Sequence, residues 1–360
     1  MKKYRVAIIG YGRSGRDIHV GLLKQLPDLY EIVAIVDEDA GRREMIRKET
    51  DAEVCADYKE LFDRTDLDFV INASYSKDHG PISIDLMEHG FNVLSEKPAA
   101  NGTEQFAKIL EASEKTGRFY YVFQQYRFSP SFIKIKDVIA SGVLGRILQI
   151  TANYDGFGRR WDWQTVQAMQ GGSLFNTGPH PVDQTLDLMG FPEGIEVRAV
   201  FDRAHTYGDA EDYVKMLLTA PGAPVGDVEI TSTNAFPHDQ YLIQGTRGTL
   251  HGNTKHLEWK YYVEAEQKPQ KLTLETLRKE DGAPMYCSEK LTFHEEEWTA
   301  EGLEANDGQY KGLAFYRAFY DMMDKGTPFP ITHEQIMKQM IVMDEAHKQN
   351  AEKLPRFVEI

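Results

Sequence analysis

A chain of 360 residues, 41% hydrophobic and 27% charged, has room for two ordinary domains with separate cores and too much apolar content for extended disorder. Its formal net charge of −15 excludes nucleic acid and an anionic membrane as main partners, because both require a basic footprint. The same charge is no obstacle to a neutral polyhydroxylated small molecule.

Along the chain, Lys2 and Lys3 precede the apolar run Val6–Ile9, but that run is too short for a signal peptide and carries no cleavage site. The first third then alternates short apolar segments with helix-period stretches, the pattern of a parallel sheet covered by helices. Strands are predicted over Arg5–Ile9, Glu31–Val36, Phe69–Asn72, Asn92–Leu94 and Phe119–Phe123. Ile18, Leu22 and Leu26 line one face of the first helix; Phe106, Ile109 and Leu110 line a later one, which Gly117 ends in a C-cap position. The pattern changes near residue 123, so one domain is expected over 1–123 and a second over 124–360.

From about residue 146 strands dominate: Arg146–Tyr154, Ile195–Phe201, Tyr213–Thr219, Val228–Asn234, Gln240–Gln244 and Leu257–Val263. Such a succession predicts a largely antiparallel sheet. A helix interrupts it at Pro181–Met189, and helices Gly312–Asp324 and His333–Glu352 close the chain. Residues 264–310 are charged and receive no assignment. No stretch approaches the roughly 20 apolar residues of a membrane span. Cys55 and Cys287 match no paired spacing, and no His, Cys and carboxylate cluster has metal-site spacing. The expectation is a soluble, cytoplasmic protein without an obligatory metal.

Gly10-Tyr11-Gly12-Arg13-Ser14-Gly15 is a GxGxxG motif directly after a strand and opening a helix. Gly10 permits the turn, Gly12 lets a pyrophosphate approach the backbone, and Gly15 allows close helix–strand packing. Asp37 ends the second strand, where a carboxylate binds the ribose 2′-hydroxyl of a dinucleotide. Glu38 and Asp39 follow it and would repel a 2′-phosphate, which favours NAD over NADP, although Arg42 and Arg43 are close by.

Glu96-Lys97-Pro98 follows a strand at the carboxyl edge where a doubly wound sheet binds its ligand. Lys97 there can stabilise charge on a substrate oxygen during hydride transfer, or be a solvated lysine before a turn. In Gly172-Ser173-Leu174-Phe175-Asn176-Thr177-Gly178-Pro179-His180, His180 has the pKa range of a general base for a hydroxyl proton. His180 bonded to backbone at a helix start, and Asn176 in an Asx-turn, are the structural alternatives.

With these segments the chain resembles the Gfo/Idh/MocA family of glucose–fructose oxidoreductase and inositol dehydrogenases. The ordered matches are the Gly10–Gly15 loop, Asp37, Ala73-Ser74-Tyr75 leading to His79, Glu96-Lys97-Pro98, Arg127-Phe128-Ser129-Pro130, Gly142-Val143-Leu144-Gly145, Gly172 to Asp183, and Gly245-Thr246-Arg247-Gly248. The resemblance implies an α/β fold: an N-terminal Rossmann domain, then an α+β domain with a large, mostly antiparallel, open-faced sheet. It implies a homo-oligomer, a dimer or tetramer, formed through the outer sheet face. The cofactor residues it implies are Gly10, Tyr11, Gly12, Arg13, Ser14, Gly15, Asp37, Ser74, His79, Glu96 and Lys97. Lys97, His180 and Asn176 take the catalytic positions, with His180 as the general acid/base. Asn176 stands where many members have an aspartate, and an amide cannot exchange a proton at neutral pH. Tyr75 stands where a proline is usual.

Arg127, Arg160 and Trp163, near Tyr126 and Tyr154, have the aromatic faces and forked donors that suit a polyhydroxylated ring; core tryptophans and solvated arginines are the alternative. The expected activity is NAD-dependent oxidation of a hydroxyl-bearing carbon of a sugar, a glycoside (position 3 included) or a cyclitol. The competing readings are an enzyme that retains and recycles its NAD, a non-catalytic NAD-binding regulator, and a dihydrodiol or biliverdin reductase.

Overall fold

The first sheet starts from β1 (Tyr4–Ile9), which is apolar on both faces as a central parallel strand must be. The computed structural model describes residues 2–358. With β1, strands β2 (Tyr30–Val36), β3 (Glu53–Cys55), β4 (Phe69–Asn72), β5 (Val93–Ser95) and β6 (Tyr120–Val122) form a sheet in the order β3-β2-β1-β4-β5-β6. Every pairing in it is parallel. The order reverses between β1 and β4, which places the ligand crevice at their carboxyl ends. Connecting these strands are a wide π-type helical stretch, Arg13–Val20, running into α1 (Gly21–Leu23), then α2 (Ala40–Glu49), α3 (His79–Glu88) and α4 (Thr103–Thr116). The short β3 escaped prediction because it begins with an exposed glutamate and buries only Cys55, so it shows no apolar run.

The second sheet has the order β14-β13-β12-β11-β7-β10-β9-β8. Its strands are β7 (Ile147–Asp155), β8 (Glu196–Asp202), β9 (Tyr213–Thr219), β10 (Val225–Thr231), β11 (Tyr241–Gly245), β12 (Gly248–Gly252), β13 (His256–Tyr261) and β14 (His294–Thr299). All its neighbours are antiparallel except β7 and β10, which pair in parallel. Before β7 comes α5 (Pro130–Ala140), and between β7 and β8 come α6 (Ser173–Asn176) and α7 (Pro179–Met189). β12 and β14 were not predicted. Glycines bound the first, and three consecutive exposed glutamates give the second no apolar alternation. β10 begins three residues before the predicted Val228, at Val225.

Helices α8 (Asp307–Lys325) and α9 (His333–Lys348) return to cover both sheets. Asn306 caps α8 by accepting from Gln309 N, so the helix starts before the predicted Gly312; α9 ends at Lys348, short of the predicted Glu352. Phe315, Tyr316 and Phe319 of α8 belong to the same buried cluster as β1, and Tyr30 Oη donates to Tyr316 O at 2.7 Å. In α9, Ile336 and Met340 join this first cluster, whereas Val342, Met343 and Ala346 join the second. On the uncovered face of the large sheet, Leu148, Val200 and Leu217 are exposed. No helix among the described residues is long and apolar enough to cross a membrane.

Candidate active site

A cleft of about 680 Å³ runs along the carboxyl ends of β1, β2 and β4 and is lined by Gly10, Gly12, Arg13, Ser14, Asp37 and Ser74. The loop is built for close approach. Gly10 has φ +90°, and a Cβ there would lie 2.4 Å from Ala73 O; one on Gly15 would lie 1.8 Å from Gly10 O. Gly12, by contrast, faces open space with nothing within 4 Å of an added Cβ. That gap, at the start of a helix with free amides, is where a pyrophosphate fits. Asp37 closes the other end: it accepts from Tyr11 N at 2.7 Å and Asp39 N at 2.9 Å, and lies 3.5 Å from the Arg42 guanidinium. The cleft therefore fits a dinucleotide by backbone shape and by its ribose-side carboxylate.

At the far end the second domain supplies the wall. Arg160, Asp162, Trp163 and Gln164 line the same cleft, and Trp163 packs edge-on against Tyr75 with ring centroids 5.1 Å apart. Behind them a smaller cavity of about 110 Å³ is shared by Tyr154, Arg160, Gln164, Asn176, Thr177 and Glu211. Gln164 and Arg160 border both spaces, so the cleft and the cavity meet there.

Lys97 Nζ donates to Asn176 O at 2.7 Å, joining the first domain to α6. Burial, set against the favourable charge of Glu96 and reinforced by Arg13 and Arg160, pushes the Lys97 ammonium below its usual range. Asn176 Oδ1 accepts from Gln164 Nε2 at 2.8 Å. At the start of α7, His180 is buried, and its Nδ1 has no hydrogen-bond partner. Burial first, then the charges of Lys97 and Lys311, hold the imidazole well below its ordinary pKa. A neutral imidazole with a free nitrogen is able to accept a proton. Glu211 holds the turn into α6: its carbonyl accepts from Ser173 N and its Oε1 accepts from Leu174 N at 2.9 Å. Burial raises the Glu211 carboxyl to about 7, against the lowering effect of that Leu174 bond.

Residues 4–124 match the family described as oxidoreductase family, NAD-binding Rossmann fold, and residues 132–251 match the GFO/IDH/MocA C-terminal domain. The chain belongs to the GFO/IDH/MocA family. Among its relatives, a scyllo-inositol 2-dehydrogenase (NADP(+)) of Bacillus subtilis is 24% identical over 97% of this chain and 94% of its own length. A scyllo-inositol 2-dehydrogenase (NAD(+)) from the same organism is 26% identical over 68% of this chain and 72% of its own. The WlbA dehydrogenase from Bordetella pertussis, solved in complex with NADH and UDP-GlcNAcA, superposes with a TM-score of 0.76 at 18% identity, over 99% of each chain. This likeness shows a shared fold.

Apart from His180, which is buried and absent from the linings of both spaces, the residues expected from sequence in this GFO/IDH/MocA chain separate into three groups. Gly10, Gly12, Arg13, Ser14, Asp37, Ser74, Arg160 and Trp163 line the large cleft, and Asn176 lines the small cavity. Tyr11, Gly15, Glu96 and Lys97 support that surface from beneath: Tyr11 offers its backbone amide to Asp37, and Glu96 Oε2 accepts from Lys97 N at 3.1 Å. His79 and Arg127 are directed elsewhere. The His79 ring is buried between Pro98 O at 2.8 Å and Ser74 O at 3.2 Å, so it braces two loops and has no free nitrogen for a cofactor. Arg127 forms a buried ion pair with Asp183, at 2.5 Å and 2.9 Å, which ties the turn after β6 to α7 and leaves no fork for substrate. Tyr126, Gln164, Glu211 and Lys311 were not singled out as site residues. Tyr126 adjoins Arg127 and Gln164 adjoins Trp163 in sequence, but Glu211 and Lys311 lie far from any motif. Among the described residues one trio with metal-type chemistry, the half-buried His256 with the exposed Glu258 and Glu297, lies on β13 and β14 and is absent from the linings of both spaces.

Proposed function

We propose that this oxidoreductase is a dehydrogenase that uses NAD to oxidise a hydroxyl-bearing carbon of a sugar, a glycoside or a cyclitol. When bound, the nicotinamide cofactor supplies the two-electron hydride chemistry. His180 takes the hydroxyl proton through its unpartnered ring, and Lys97 hydrogen-bonds the same oxygen as charge grows on it. Asn176 orients the site through its carbonyl to Lys97 and its side chain to Gln164. Arg160 and Trp163 face the sugar ring. The observation that carries this reading is the convergence of Lys97 and α6 at 2.7 Å, together with a buried His180 at the start of α7 whose Nδ1 has no hydrogen-bond partner. The inositol dehydrogenases among the relatives support a cyclitol or sugar substrate.

Asp37 and Glu38 on the cleft wall favour NAD over NADP. The open outer face of the large sheet is the surface for a homo-oligomer, and the chain works in the cytoplasm. A second reading, in which NAD stays bound between turnovers, gains support from the Tyr75–Trp163 contact that bridges the cleft. Purified protein distinguishes these readings. Reduced nicotinamide forming only after NAD and a polyol are added means exchange, whereas a reduced band present on purification and discharged by a keto-sugar means retention. A cofactor that binds but is never reduced favours a regulator instead.

A further inference from the structure

The surroundings of His180 contain a feature that the acid/base role does not account for. The Tyr126 ring stacks on the imidazole with centroids 3.8 Å apart and planes 19° from parallel. Lys311 Nζ, from α8, sits 3.4 Å from the centroid of the same Tyr126 ring. Two groups at those distances cannot occupy one face, so Tyr126 is held between the ammonium and the imidazole. Lys311 is itself buried and is fixed by Asp307 Oδ2, while Asp307 Oδ1 accepts from Ser129 Oγ. A lysine is rarely placed in a core without a purpose, since desolvating its charge is costly.

We propose that Lys311, acting through Tyr126, is a positioning residue that keeps His180 aimed and uncharged. The inference rests on the proposed acid/base role of His180. An aromatic face ordinarily attracts a cation, so a tyrosine stacked on histidine alone would favour the imidazolium. With Lys311 already drawing on the π cloud from the other side, that attraction is spent and the neutral imidazole is preferred. Of the charged groups facing this stack, Asp307 on α8 has the opposite sign but is held by Lys311 and Ser129. Lys97 opposes a second positive charge from the loop after β5, and the nearest carboxylate on α7, Asp183, is occupied by Arg127. Asn176, on α6, offers no charge. Burial and the two lysines lower the affinity of His180 for a proton, in agreement with the geometry.

The test is a histidine-selective NMR titration of the full chain with NAD bound, for wild type, Lys311→Met, Lys311→Arg and Tyr126→Leu, with His180→Ala to assign the resonance. In parallel, the pH dependence of kcat/KM is measured for the same proteins. Wild type is expected to keep His180 neutral well into the acid range. Lys311→Met should raise its midpoint and the acid limb of the profile by about one pH unit, and Lys311→Arg should restore both. Met has the length and flexibility to fill the lysine's space, and recovery with Arg separates a charge effect from a packing defect. A Lys311→Met midpoint within roughly 0.2 units of wild type overturns the proposal. Should His180→Ala keep wild-type turnover, the acid/base reading fails, and the NMR comparison still decides the stack.

Discussion

His180 and Arg127 both lie in motifs that carry the family resemblance, yet the fold gives them different surroundings. His180 is buried with a ring nitrogen that has no partner, which the proposed proton exchange requires; Arg127 is buried with its Nε and Nη2 bonded to Asp183, which favours rigidity. His180→Ala should therefore lose roughly 10²–10⁴ in kcat while NAD still binds, as steady-state kinetics and cofactor titration would show. Asn176→Asp should stay active, with the acid limb of the kcat profile moved upward, because a carboxylate introduced four residues before His180 favours the protonated imidazole. Arg127→Ala, by contrast, should cost about 3 kcal/mol in urea unfolding, since it strands Asp183 without a partner, and should change KM little. At this scale the sequence singled out the residue types to which the proposed chemistry is assigned. It could not reveal where His79 and Arg127 point, because adjacency to a motif does not determine which side of a strand or turn a side chain leaves.

At the scale of elements, the phosphate loop was the most legible feature, since its glycines serve steric needs that are local in sequence. Gly15 touches Gly10 across one turn, whereas Gly12 touches nothing. The two alanine variants should consequently fail in different ways. Gly15→Ala should lower the stability by about 2 kcal/mol or more, because its Cβ overlaps the backbone. Gly12→Ala should melt like wild type and bind NAD weakly, a contrast that calorimetry and cofactor titration can resolve. Among the strands, those without an apolar period were missed: β3, β12 and β14 are short, glycine-bounded or acidic, and their pairing comes from neighbouring strands; α5 was missed too, although Phe132, Ile135 and Val138 mark its buried face. The same limit concealed Lys311 and Glu211, whose partners lie on other elements.

Across the whole molecule, the two sheets share a covering helix, α9, and the candidate site lies where Lys97 is bonded to Asn176. Stability and site chemistry are consequently linked through buried titratable groups. Glu211 anchors α6, and its folded pKa is raised to about 7. The folded state thus keeps a proton that the unfolded chain gives up, so this group lowers stability as pH rises from about 4.5 to about 7, and by no further amount above that. Glu211→Gln keeps the acceptor for Leu174 N and removes the titration. Its stability relative to wild type should be greater at pH 8 than at pH 5 by roughly 2 kcal/mol, read from denaturant midpoints at the two pH values. His79, His180 and His347, all held below their ordinary range chiefly by burial, act on the acid side: each must charge on unfolding, so stability falls as pH drops below about 6.5.

The central claim is that Lys97 and His180 turn a dinucleotide-binding cleft into a polyol dehydrogenase. The most direct measurement follows the reduced-nicotinamide absorbance of purified protein with NAD as hexoses, glycosides, uronates and inositols are added one at a time, in wild type and in the Lys97→Ala and His180→Ala variants. A rise with at least one compound in wild type, abolished in both variants while NAD binding persists, is the predicted result. A wild-type signal that both variants retain, or bound NAD that no compound reduces, would contradict it.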